Sequence, residues 1–389
     1  MEKLKEYYRQ MLRNTNTGFL RYLYTRVNWE NRMIGLVGAR GIGKTTLVLQ
    51  YIKLDLNPDE TLYVTADDLY FLTHTLLDVA GDFVKQGGKH LFIDEIHKYH
   101  EWSRELKLIY DYHPKLKVIF TGSSILDINK GAADLSRRAV MYHMQGLSFR
   151  EYLKMFHGID SPTFSLQHII EHKVDLPALE HPLPLFENYI RRGYYPLMQE
   201  PDFSVRLQQI VSMTLEMDIP QYAGMNASTG RKLKQLMMLI AESVPFKPNF
   251  SKLATALGVS RNNIADYCLS IEEAGLIAQL RDSAGGISGL RKVDKIYLEN
   301  TNLLYNLSNV SPNIGNVRET FFFNQTKANH ETFTSSISDF EIDDMTFEIG
   351  GKSKEQKQIQ AAGRGFVVKD NIEFGYENII PIWHFGLMY

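Results

Sequence analysis

The stretch MIGLVGARGIGKTT, residues 33–46, constrains the fold of this chain more than any other. An apolar run, Met33 to Val37, leads into the pattern GxxxxGKT, and a helix-forming run from Thr45 to Tyr51 follows it. A strand-to-helix turn rich in glycine lets successive backbone N–H groups close around a phosphate, and the helix N-terminus adds positive dipole. In such a turn Lys44 spans β- and γ-phosphates and the Thr45 hydroxyl ligates Mg²⁺. Gly38, Ala39, Arg40, Gly41, Ile42, Gly43, Lys44, Thr45 and Thr46 are therefore the expected nucleotide-binding residues, with ATP and Mg²⁺ as ligands. The bland alternative is a glycine-rich turn with no ligand. A chance match in a chain of average residue usage has a probability of roughly 1 to 2%.

A second motif carries the rest of the chemistry. Residues 91–95, LFIDE, are an apolar strand ending in two carboxylates, some 50 residues after the first motif. Asp94 is suited to hold Mg²⁺ through water and Glu95 to polarise an attacking water. A glutamate directly after the metal aspartate marks the P-loop division that inserts an additional strand beside the P-loop strand, and KVIFT, residues 117–121, fits as that strand. Ser123, at the end of this run, is the polar sensor candidate; the alternative is that Ser123 or Ser124 only caps the next helix. Arg137 and Arg138 are candidates for stabilising transition-state charge, in cis or from a neighbouring subunit, against a solvated pair at a helix end. His97 and His100 match no zinc spacing and read as loop histidines.

The pattern along the chain suggests five segments. Residues 1–30 are charged helical material, with helices over Glu2 to Leu12 and Gly18 to Val27. Residues 31–155 alternate apolar runs with amphipathic helices and read as an α/β domain with a mainly parallel sheet. Residues 156–225 are helical with proline breaks and read as a lid or linker. Residues 226–285 read as helix, turn, helix, turn, helix of winged-helix type, with the third helix in SRNNIADYCLSIEEAGLIAQL, and residues 286–389 as an α+β unit with strands near FEIGG, GFVVK and IPIWHFGL.

Composition excludes several classes. Forty-three Lys and Arg against forty-five Asp and Glu give a net charge of −2, so no global positive field attracts nucleic acid. The single cysteine, Cys268, forms no intrachain disulfide, which fits a reducing compartment. No signal-peptide core and no run of about 18 apolar residues occurs, so a cytoplasmic protein without a membrane span is expected.

Several of these stretches together resemble the prokaryotic AAA-type ATPases akin to the archaeal ATPase and STAND groups. They are GARGIGKTT (38–46), FIDEIHKYHEW (92–102), VIFTGSS (118–124), QGLSFREYL (145–153), RRGYYP (191–196), GNVRET (315–320) and FEIGGKSKEQKQI (347–359). The resemblance implies an additional-strand, AAA-like P-loop domain, and a C-terminal domain of unknown function similar to the PD-(D/E)xK, restriction-endonuclease-like nucleases. The matching carboxylates are Glu319, Asp339 and Glu348. The lysine of that pattern belongs two residues after Glu348, where this chain has Gly350, and Lys352 lies roughly 13 Å from Glu348 along a continuous strand. Water activation is therefore expected to fail, leaving a fold used for contact or nucleic-acid binding, with Lys352, Lys354 and Lys357 as a small basic patch. From Thr229 to Asp282 seven basic residues face five acidic ones, a weak footprint for DNA even though Arg261, Asn262 and Asn263 open the third helix.

The expected function is ATP hydrolysis coupled to a conformational switch, with DNA or another protein as partner and an oligomer admitted. A nucleotide-loaded DNA-binding regulator and an ATP-gated nuclease effector are the rivals.

Overall fold

The computed structural model describes residues 1–122, 135, 137–243, 245, 247–283, 292–308, 311–354, 359 and 362–389. They form two compact units: Met1–Gln145 with Asp218–Met225, and Gly146–Met217 with Asn226–Tyr389. Among the described residues no helix is long and apolar enough to cross a membrane.

In the first unit the strands are β1 (Met33–Val37), β2 (Thr61–Thr65), β3 (His90–Asp94), β4 (Lys117–Gly122) and β5 (Val140–His143). They form one sheet in the order β2-β3-β4-β1-β5, and every pairing is parallel. The runs MIGLV, TLYVT, HLFID and KVIFT are almost wholly buried, as strands covered on both faces must be. The KVIFT strand lies between β3 and β1, beside the P-loop strand, as its sequence suggested. Parallel order brings the carboxyl ends of β1, β3 and β4 to one edge, where ligands bind in such sheets.

The N-terminal segment is part of this unit. Helix Glu2–Asn14 buries Leu4 and Tyr8, and Leu4 joins the core that includes Met33, Leu62 and Leu91. The second expected helix shrinks to Leu23–Arg26, because the chain before it turns on an Asn16 side chain that accepts a hydrogen bond from the Gly18 N–H at 2.7 Å.

The second unit is built around a mixed sheet of β6 (Ile277–Asp282), β7 (Val293–Leu298), β8 (Thr332–Thr334), β9 (Phe340–Ile342), β10 (Met345–Gly350), β11 (Gly365–Lys369) and β12 (Ile379–Pro381), in the order β12-β11-β10-β9-β8-β6-β7. Helix Ile314–Thr326 packs Phe322 against Phe340, Phe347 and Phe385. Helices Ala227–Ser243, Phe250–Leu257 and Arg261–Glu273 precede β6. The third helix therefore ends seven residues before Leu280, where the sequence reading had continued it. Gly275, at φ +73, stops it, and the following LIAQL run, which reads equally well as buried helix, becomes strand β6. Because β6 pairs with both β7 and β8, one sheet runs through residues assigned above to two domains. The IPIWHFGL run is also only partly a strand: Ile382–Leu387 winds into a 3₁₀ helix, every residue of which is buried. A segment buried on all sides has no periodicity from which to tell the two apart.

Candidate nucleotide and metal site

Val37 ends β1, and the chain turns through Gly38, Gly41 and Gly43 at φ +155, +84 and +96. A side chain at Gly38 would collide with the Met144 carbonyl oxygen, so backbone must pass here unencumbered. Helix Lys44–Asp55 begins immediately after Gly43. Its N-terminal N–H groups face the loop, an anion cradle made of backbone. The loop is also braced from behind: buried Arg21 donates to the Ile42 carbonyl and, at 2.6 Å, to the Gln145 carbonyl.

Lys44 is buried, and its ammonium donates to the carbonyls of Gly38 at 2.9 Å and Ala39 at 2.8 Å. Burial pushes its pKa down to about 8; Glu95 and Asp94 act the other way, while Arg40 lowers it further. A cation held this way lacks a full counter-charge, which the phosphates of a nucleotide would supply.

Asp94 closes β3 as a buried carboxylate with four donors. Oδ2 accepts from Thr45 Oγ1 and from the Tyr63 hydroxyl, each at 2.7 Å. Oδ1 accepts from Thr121 Oγ1 and from the Glu95 N–H at 3.1 Å. The two side chains expected to serve Mg²⁺, Thr45 and Asp94, are thus already in contact. Tyr63, on β2, and Thr121, on β4, hold the carboxylate in place; burial and Asp94 push the Tyr63 phenol pKa upward.

Glu95 sits in the left-handed region at φ 50, uncommon for a residue with a side chain, and about a quarter of its side chain is exposed. Its Oε2 lies 3.2 Å from His97 Nε2. Burial, then the charges of Lys98, Lys44 and Arg40, lowers the His97 pKa to about 3, so the ring is neutral at pH 7. A carboxylate only accepts, so the proton of that neutral ring sits on Nε2. His97, which sequence alone places among loop histidines, is therefore the buried partner that orients Glu95. Its one legible signal was a position two residues past the catalytic-type glutamate.

Asp218 was also missed. Its buried carboxylate lies 3.5 Å from Arg40 Nη1 and 3.4 Å from Lys98 Nζ.

Arg138 is not brought to this edge. Arg138 makes a bidentate pair with Asp111 at 3.1 Å and lies over the Tyr110 ring, beside Arg32, which precedes β1. That is the amino-terminal edge of the sheet, about 16 Å of strand away from the P-loop. The expected action of Arg138 on phosphates of its own P-loop is thereby corrected; Arg137 is exposed. Ser123 and Ser124 lie outside the described residues.

In the second unit, Lys295 Nζ lies 3.3 Å from Glu319 and 3.8 Å from Asp339, and the Tyr297 hydroxyl donates to Glu319 at 2.7 Å. Glu348 pairs with Lys354 and accepts from Ser338. The lysine beside Glu348 is Lys354, while Lys352 is exposed; Lys357 lies outside the described residues. Burial, then Glu319, raises the Asp339 pKa to about 6. Among the described residues no group of three or more His, Cys, Asp or Glu side chains is arranged to hold a metal ion.

Residues 30–153 match a family model described as an AAA domain, and residues 183–314 match one described as a domain of unknown function, DUF8612. No curated protein matches the chain. Among solved structures, C. elegans PCH-2 is 14% identical over 70% of this chain and 66% of its own, with a TM-score of 0.26. The S. cerevisiae Hsp104-ADP complex is 18% identical over 69% of this chain and 37% of its own, with a TM-score of 0.27. A structure on katanin self-assembly is 14% identical over 46% and 60%, with a TM-score of 0.24. The chain spans less than two thirds of the length of each of them. The parallel sheet, its P-loop and the family match agree that residues 30–153 form an AAA-type P-loop domain.

Proposed function

We propose that this chain binds Mg-ATP at residues 38–46 and hydrolyses it to drive a conformational switch. The observation that carries this reading is the 2.7 Å contact between Thr45 and Asp94, with Glu95 held by His97 beside them. Thr45 and Asp94 are the residues that would hold Mg²⁺, which when bound offsets phosphate charge. Lys44 spans the terminal phosphates. The oxygens of Asp94 are already engaged by four donors, so the attacking water falls to Glu95, which takes its proton. Exposed Arg137 remains the candidate for contact with a neighbouring subunit. The test is steady-state phosphate release by the full chain with Mg-ATP, with and without DNA. Magnesium-dependent turnover supports the reading, and none in either condition overturns hydrolysis.

The burial of Lys44 sets a pH dependence. The free protein holds Lys44 charged below about pH 8 and neutral above it, whereas bound phosphates require the charged form. Binding above that pH therefore takes up a proton, and ATP affinity should fall by up to about tenfold per pH unit beyond it. Calorimetry at pH 7 and 9 checks the sign: an affinity equal at both would exclude a titrating Lys44.

The C-terminal unit is proposed as a contact module without nuclease activity. Lys295 pairs with Glu319 and Asp339 and Lys354 with Glu348, and Gly350 stands where the catalytic-type lysine belongs. Single- and double-stranded DNA should survive incubation with Mg²⁺ or Mn²⁺, with or without ATP. Cleavage abolished by Asp339→Ala would reverse this reading. The helices from Ala227 to Glu273, taken as a winged-helix module, present Arg261, Asn262 and Asn263 to solvent, but Lys234 pairs with Glu216 and Arg281 with Glu272. That reduces an already weak positive footprint, so the DNA-regulator reading is not favoured.

A further inference from the structure

Residues Asp218–Met225 belong to the P-loop unit, although the chain on both sides of them belongs to the other. Their first residue is a buried aspartate whose two oxygens reach two cations, Arg40 within the P-loop and Lys98 three residues after Glu95. Ile219, fully buried, follows it, and Met225 closes the segment by donating to the Pro220 carbonyl at 2.8 Å.

We infer that Asp218 is a counter-ion that occupies Arg40 and Lys98 while the nucleotide site is empty, and that an ATP γ-phosphate displaces it, releasing residues 218–225. This rests on the ATP reading and adds to it a route by which the nucleotide state reaches the rest of the chain. Three observations converge on it. Arg40 is part of the loop that encloses the phosphates, so a bound triphosphate places concentrated negative charge close to the guanidinium. Lys98 and Arg40 both lower the His97 pKa, and Arg40 lowers that of Lys44, so these cations share one electrostatic neighbourhood with the ammonium that contacts phosphate. Finally, Asp218 is buried, and a buried carboxylate deprived of its counter-charges is strongly disfavoured, so it cannot stay where it is. It must move toward water, and the segment joined to it moves as well. ADP, which lacks the γ-phosphate, competes less and should leave the contact intact.

The test is hydrogen–deuterium exchange of the amides of residues 219–225 in the full chain, without nucleotide, with Mg-ADP and with a non-hydrolysable Mg-ATP analogue, alongside calorimetry of the same samples. In the wild type, exchange should be slow without nucleotide and with ADP, and roughly tenfold or more faster with the analogue. In Asp218→Asn, exchange should be fast in all three states, and the analogue should bind roughly threefold or more tighter, because its competitor is gone. Asp218→Glu should restore the nucleotide response. Analogue binding with no change in wild-type exchange would overturn the inference and leave the ATP reading standing. A wild type that binds no analogue overturns both. The wild-type arm needs no variant, so poor folding of Asp218→Asn does not leave the question open.

Discussion

Replacing Glu95 with glutamine should leave Mg-ATP binding close to wild type and slow turnover by about 10² or more, the usual loss when a general base is removed. The substitution keeps size and shape, and an amide oxygen still accepts from His97 Nε2, so the orientation set by the 3.2 Å contact persists. What is lost is the ability to take a proton. Among the described residues no neighbour replaces it: Asp94 is engaged by Thr45, Tyr63, Thr121 and the Glu95 N–H, and His97 is a neutral donor with its pKa near 3. Phosphate release measured beside ATP affinity separates chemistry from binding. A variant that turns over at the wild-type rate would remove Glu95 from the reaction.

Lys44→Ala should weaken Mg-ATP binding by roughly 10² or more and abolish turnover. Charge-assisted hydrogen bonds contribute about 1.5–3 kcal/mol each, and every 1.4 kcal/mol is tenfold in affinity. The fold should tolerate the change. A buried ammonium whose pKa has dropped to about 8 is not a favourable core group, and its removal leaves only the Gly38 and Ala39 carbonyls, at the loop surface, to be met by water. Stability should therefore stay level or rise slightly while nucleotide binding is lost, a divergence that general damage to the fold would not produce.

The nucleotide motif was legible because phosphate chemistry dictates residue types at fixed spacing: glycines for the turn, then Lys44 and Thr45, then Asp94 and Glu95 at a strand end. The inserted strand β4 was legible for the same reason, since an adjacent Asp-Glu pair implies where the extra strand goes. The supporting residues had no such signal. Tyr63 and Thr121 reach Asp94 across 31 and 27 residues of chain, and Asp218 reaches Lys98 across 120, distances over which only the folded sheet brings side chains together. His97 was adjacent in sequence, but its role depends on burial, which a loop position conceals. Arg138 shows the converse: its sequence admits contact with transition-state charge, but it lies just before β5, at the opposite edge of the parallel sheet. In the second unit the run after Gly275 misled because wholly buried strands and helices share one apolar pattern.

The central claim is that the 38–46 turn binds Mg-ATP through Lys44, and calorimetric titration of Mg-ATP into the wild-type and Lys44→Ala full chains tests it most directly, with far-UV circular dichroism on both samples. The account predicts saturable binding to the wild type, none detectable for the variant, and superimposable spectra. Equal ATP affinity in two equally folded chains would contradict it.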